Sequence, residues 1–183
     1  MSQFKIAIIA GSLRKDSYNV RLGQAISSML PEGFEAKLIE IGDLPLYNQD
    51  EDYTPAASVA RLREEIKGVD AVIFATPEYN RSIPGVLKNA LDHASRPWGE
   101  SVWQGKPAGV IGVAGGAIGT AMAQQHLRNI LAALNMPTMG HPEAFLQYSD
   151  DLFDDQGGIG AKSRDFVQGW VDSFAKWVKT HVK

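Results

Sequence analysis

Three short segments of this chain carry residue types that could do chemistry. The first is Gly11-Ser12-Leu13-Arg14-Lys15-Asp16-Ser17-Tyr18-Asn19. It matches neither G-x-G-x-x-G nor G-x-x-x-x-G-K-S/T, so the dinucleotide fingerprint and the P-loop are both absent. It still offers what a phosphate monoester needs: hydroxyls on Ser12 and Ser17, an amide on Asn19, and the paired planar donors of Arg14. A helix beginning near Ser17 turns its free N–H groups and positive dipole end into the same loop. The bland alternative is an ordinary capped helix with an exposed arginine.

The second segment is Thr76-Pro77-Glu78-Tyr79-Asn80-Arg81-Ser82-Ile83-Pro84-Gly85. Two prolines stiffen it, and a flat heteroaromatic ring could lie on it, with Tyr79 packing or bonding and Asn80 reading an edge. A rigid turn before a helix explains the prolines but not Glu-Tyr-Asn displayed together. The third is Ala114-Gly115-Gly116-Ala117-Ile118-Gly119. Adjacent glycines let backbone approach a ligand closely and turn N–H groups outward; a simple strand-to-helix turn is the competing view. Taken together, the three loops fit a phosphorylated aromatic cofactor.

The elements that must position these loops are legible as two alternating patterns. Short β-branched runs occur at Lys5–Ala10, Ala36–Ile41, Ala71–Thr76 and Ala108–Val113, with a weaker one at Met136–Met139. Runs apolar on both faces belong to a parallel sheet covered above and below. Between them lies helical spacing: Leu87, Ala90, Leu91 and Ala94 fall at i, i+3, i+4, i+7 within Pro84–Ser95, with Pro84 in the first turn and Pro97 beyond the end. Phe166, Val167, Trp170, Val171, Phe174, Trp177 and Val178 form a stripe read as core packing. Asp150–Gly160, acidic and glycine-rich, reads as a solvated surface loop. The β-α alternation predicts an α/β, flavodoxin-like three-layer sandwich, a single domain over residues 1–183, with a five-stranded parallel sheet of order 2-1-3-4-5. In that order the loops after strands one, three and four meet beyond the carboxyl ends of the strands, where open α/β sheets bind ligands.

Composition narrows the class. The chain has 183 residues, 18 Lys+Arg against 21 Asp+Glu (net −3), and no cysteine. A slightly acidic domain argues against a nucleic-acid partner that needs a basic face. Zero cysteine removes disulfides, thiolate nucleophiles, cysteine-based zinc sites and iron–sulfur clusters. The N-terminal apolar run, Ile6–Gly11, is too short for a signal or a membrane span. The expectation is a cytoplasmic protein with no membrane partner and no metal site.

Further motifs accompany the loops: Leu44-Pro45-Leu46-Tyr47-Asn48, Ser82-Ile83-Pro84-Gly85-Val86-Leu87-Lys88-Asn89-Ala90 and His126-Leu127-Arg128. With Gly11-Ser12-Leu13-Arg14-x-x-Ser17-x-Asn19 and Pro77-Glu78-Tyr79-Asn80, this set closely resembles the NADPH-dependent FMN reductase family, which includes bacterial quinone, chromate and azo reductases. The resemblance implies non-covalent FMN, its phosphate held by Ser12, Arg14, Ser17 and Asn19, with Leu13 and Tyr18 lining the site. It implies that Pro77, Glu78, Tyr79 and Asn80 contact the isoalloxazine and ribityl groups, and that Ala114, Gly115 and Gly116 border the pyrimidine side. Relatives often carry serine where this chain has Ala114, so backbone donors would serve there.

The resemblance also implies NADPH or NADH as donor, with hydride passing to the flavin and then to quinones, azo or nitro compounds, chromate-like oxyanions or free flavin. No side chain is then required as a catalytic acid or base, because the flavin carries the redox chemistry. The family forms homodimers, often paired as homotetramers, with FMN near the dimer interface; Tyr47 and Asn48 would reach a neighbour's site, and His126, Arg128 and Glu143 would belong to assembly surfaces. His93 reads as a solvated or interface histidine. The alternative is a flavodoxin-like electron carrier or a flavin-binding sensor with little turnover. Carriers are generally more acidic and have a Ser/Thr-rich phosphate loop in place of Arg14-Lys15.

Overall fold

The computed structural model describes residues 3–182. Its strands are Phe4–Ala10 (β1), Phe34–Leu38 (β2), Ala71–Ala75 (β3), Ala108–Ala114 (β4) and Phe145–Gln147 (β5). Its α-helices are Tyr18–Met29 (α1), Ala57–Lys67 (α2), Gly85–Ala94 (α3), Ala121–Ala133 (α4) and Ala161–His181 (α5), with a 3-10 turn at Gln49–Glu51. All strand pairings are parallel and the order is β2-β1-β3-β4-β5. The flavodoxin-like, doubly wound expectation is met.

The sheet is covered on both sides because its strands are apolar on both sides. Ile6 and Ile8 of β1 pack with Leu22 and Ile26 of α1 and with Val167, Trp170 and Phe174 of α5. Ala7 and Ile9, one residue out of phase, pack with Leu62 and Ile66 of α2, Leu87 and Leu91 of α3 and Leu127 of α4. This is the two-residue period of a strand read into two cores. Gly109 seats α5: a Cβ there would lie 2.7 Å from Phe174 Cδ2 and 2.9 Å from Trp170 Cη2. Full burial of a ring such as Phe174 contributes about 1.5–3 kcal/mol.

Three expectations need correction. The fifth strand is not Met136–Met139. There the chain makes one parallel bridge, Thr138 to Ala108, and then leaves the ladder because Pro137 and Pro142 supply no N–H. Pairing resumes at Phe145–Gln147 against Gly112–Ala114. In α5, Phe166 is half exposed and outside the packed stripe, while Trp177 is half-buried and donates through Nε1 to the Pro137 carbonyl at 2.9 Å. The segment 150–160 is folded rather than simply solvated. Leu152, Phe153 and Ile159 are buried, Phe153 bridges Ile159, and Asp154 accepts from the N–H groups of Gln156 and Gly158.

Candidate functional site

The loops after β1, β3 and β4 meet because those strands are neighbours and their ends are tied. Gly11 N–H donates to the Ala75 carbonyl (2.9 Å) and Thr76 N–H to that of Ile111 (3.0 Å). The β3 and β4 ends approach so closely that a Cβ on Gly112 would lie 2.1 Å from the Thr76 carbonyl oxygen.

In the first loop the chain turns at Ser12, buried, whose Oγ accepts from Arg14 N–H (3.3 Å). Ser17 caps α1: its Oγ accepts from Val20 N–H (3.3 Å), and its carbonyl takes the first helical bond, from Arg21 (3.1 Å). The N–H groups of Tyr18 and Asn19, the first two of the helix, have no intrahelical acceptor. Arg14 is exposed and forms no ion pair among the described residues; its guanidinium carbon lies 4.5 Å from the Tyr18 ring centroid. Leu13 is exposed and leans toward Gly42, at the β2 side of the crevice. Asn19 departs from the expected role. It is buried, Nδ2 donates to the Val113 carbonyl (2.9 Å) and Oδ1 accepts from Val113 N–H (3.0 Å). Its amide fastens α1 to β4, leaving its backbone N–H as its donor toward the loop.

The second loop is held by its own side chains. Thr76 and Pro77 are buried. The Glu78 carboxylate accepts from Met122 N–H (3.0 Å) and Ala123 N–H (3.1 Å), capping α4, whose N-cap residue Thr120 makes no side-chain cap bond. Tyr79 and Ser82 exchange backbone hydrogen bonds (3.0 and 3.1 Å) around Asn80 and Arg81, at φ 51° and 67°. Positive φ at both central residues marks a type I′ turn, which asparagine tolerates and arginine rarely adopts. Ser82 Oγ lies 3.0 Å from His126 Nδ1. Tyr79 and Asn80 remain exposed toward solvent.

Across from these, Gly115 and Gly116 have nothing within 4 Å of where a Cβ would project. The Ala114 carbonyl accepts from Tyr148 N–H (2.8 Å). Tyr148 was not evident from sequence: it follows the displaced β5, and its ring stacks on Tyr18 at 3.8 Å and 14°. Burial, then the Tyr18 hydroxyl, raises its phenol above the ordinary tyrosine value.

Residues expected at an assembly surface are engaged within the chain. Tyr47 N–H donates to Asn89 Oδ1 (2.8 Å) and its hydroxyl to Asp52 (3.2 Å); Asn48 caps the 3-10 turn. His93 is buried, with Nε2 2.8 Å from the Pro45 carbonyl, so it holds this loop instead of facing solvent. Arg128 donates to the Met139 carbonyl (2.7 Å), and Glu143 accepts from Gln125 (3.2 Å).

The donor set suits an anion beside an open backbone shelf. The profile of the NADPH-dependent FMN reductases matches residues 4–151. The chain belongs to that family. It is accordingly an oxidoreductase of the FMN reductase and quinone reductase type, with FMN as cofactor and a reduced nicotinamide as donor. It is 50% identical over 181 residues to a quinone reductase of Pseudomonas putida, covering 98% of this chain and 97% of the relative. It is 46% identical over 176 residues to a 2-hydroxy-1,4-benzoquinone reductase of a Burkholderia species, covering 96% of each. Among solved structures, FerB, a flavoenzyme NAD(P)H:(acceptor) oxidoreductase from Paracoccus denitrificans, superposes with a TM-score of 0.94 at 42% identity, covering 98% of this chain and all of that one.

The residues present fit FMN in the chemistry of their donors. An arginine without an acidic partner among the described residues, a serine hydroxyl and two free helical N–H groups suit a phosphate dianion. Glycines with nothing within 4 Å of where a Cβ would project let a flat ring approach peptide N–H groups.

Proposed function

We propose that this chain is a quinone reductase with a single FMN-binding domain over residues 1–183, and that its FMN phosphate lies in the 12–18 loop. The observation that carries this is the gathering of Arg14, without an ion-pair partner among the described residues, and the free N–H groups of Tyr18 and Asn19 in one loop, on a sheet end that also carries the open Gly115-Gly116 backbone. Ser12, Arg14 and Ser17 bind the phosphate, with Leu13 at the rim. Pro77, Tyr79 and Asn80 border the ring from β3, and Ala114, Gly115 and Gly116 border it from β4. Glu78 and Asn19 serve by holding α4 and α1 in place. When bound, FMN supplies the two-electron chemistry that links a nicotinamide donor to an acceptor. The protein's task is orientation and electrostatics, and no side chain need transfer a proton from carbon.

The quinone-reducing relatives favour quinones as acceptors over azo or nitro compounds, chromate-like oxyanions and free flavin. Half-exposed Tyr79, Ile118 and Met122 beside the crevice support a second copy of the chain packing there. The test is an anaerobic spectrum of the purified, FMN-loaded protein during addition of NADPH or NADH. Bleaching within seconds, with recovery on adding a quinone, is expected. Flavin bands that either donor leaves intact would overturn the enzyme reading in favour of a carrier.

A further inference from the structure

Arg14 must be held in place without being neutralised, because a carboxylate partner would compete with the phosphate it is to bind. An aromatic face meets that requirement: it attracts the cation and leaves the N–H edge free. Tyr18 offers such a face at 4.5 Å, and its ring also stacks on Tyr148 at 3.8 Å and 14°. Two flat groups at those separations cannot share one face, so Tyr18 lies between Arg14 and Tyr148. Tyr148 is itself anchored, its N–H on the Ala114 carbonyl (2.8 Å) and its neighbour Gln147 donating to that of Gly115 (3.4 Å). The same segment braces α1 again one turn later, where the Arg21 guanidinium lies 4.3 Å from the Phe153 ring centroid.

We propose that Tyr148 is a positioning residue for the cofactor phosphate, acting through the Tyr18 ring to hold Arg14, and that it joins the phosphate loop to the glycine loop on β4. The chain thereby favours FMN over its dephosphorylated form, riboflavin, by means of a residue that touches neither. This rests on the phosphate lying in the 12–18 loop.

The experiment titrates apo-protein with FMN and with riboflavin, following flavin fluorescence, in the wild type, Arg14→Ala, Tyr148→Phe and Tyr148→Leu. Tyr148→Leu is expected to raise the FMN Kd about fivefold while moving the riboflavin Kd less than about twofold. Tyr148→Phe, which keeps the ring, should match the wild type, and in an Arg14→Ala background Tyr148→Leu should have no further effect on FMN. Equal weakening of both ligands by Tyr148→Leu would show a merely structural role and overturn the proposal, as would an unchanged FMN affinity. An unchanged FMN-to-riboflavin preference in Arg14→Ala would overturn the phosphate assignment itself; a preference lost there but kept in Tyr148→Leu would remove Tyr148 alone. If the leucine variant does not fold, Tyr148→Met carries the same expectations.

Discussion

The loop after β1 and the loop after β3 are both rich in polar side chains that hold backbone in place, yet only the first keeps a cation without an ion-pair partner among the described residues beside free helical N–H groups. In the first, Arg14 has no ion-pair partner among the described residues and two helical N–H groups lack acceptors. In the second, Glu78 caps α4, Asn80 and Arg81 make the turn, and Ser82 contacts His126. In the first, Ser12, Ser17 and Asn19 hold the backbone and leave Arg14 and two helical N–H groups to spare; in the second, the side chains mostly hold the loop's own shape. Polar residues at the end of a strand therefore announce a site without saying which of them face the ligand.

Asn19 tests the boundary between the two behaviours and carries the largest expected effect. Asn19→Ala strands a buried N–H and a buried carbonyl of Val113, so the apo-protein should lose about 2–4 kcal/mol of stability, read by urea unfolding. FMN affinity should fall no more than loosening of α1 requires. A stable variant with collapsed affinity would make Asn19 a direct ligand and break the distinction. Next is Glu78→Ala, which uncaps α4 and should cost about 1–2 kcal/mol. Its FMN Kd should stay within about twofold, because the lost contacts lie within the scaffold. A large loss of FMN with little loss of stability would place the carboxylate on the ring instead. Third, Arg81→Gly relieves a left-handed arginine and should stabilise by about 0.5–1 kcal/mol, visible as a higher Tm.

The sequence was most legible where burial sets the pattern. Ile6–Ala10, Ala71–Ala75 and Ala108–Val113 are apolar on both faces because helices cover both, and they place all three loops at one end of the sheet. The start of α1 near Ser17 was also legible, and the structure makes Ser17 its cap. What stayed hidden depends on contacts between residues far apart in the chain. Asn19 meets Val113 across 94 positions, and Glu78 meets Met122 across 44. Neither partner is a side chain, so no complementary residue type signals the pair. β5 was displaced because its edge strand has three residues with one buried side chain, a weaker pattern than Met136–Met139. Tyr148 was lost with it.

The smallest expected effect concerns pH and separates Tyr148 from Tyr47. Both phenols titrate above the ordinary tyrosine value: Tyr148 through burial and then the Tyr18 hydroxyl, Tyr47 through burial and then the Asp52 carboxylate. The folded protein thus holds these protons more tightly than the unfolded chain does. Their contribution to stability is fully present below the ordinary tyrosine value and is lost as pH rises through the raised folded values. Tyr148→Phe and Tyr47→Phe should each flatten part of that alkaline decline in urea unfolding of the apo-protein. Retention of FMN should distinguish them. With the phosphate in the 12–18 loop as proposed, a Tyr148 phenolate would place negative charge behind Tyr18 and compete for Arg14, so wild-type protein should release FMN as this phenol ionises. Tyr148→Phe should retain FMN to higher pH, whereas Tyr47→Phe, whose phenol answers to Asp52 beyond the phosphate loop, should release it as the wild type does. Equal shifts in both variants would mean that alkaline release follows general unfolding, and that the aromatic stack has no electrostatic connection to the phosphate loop.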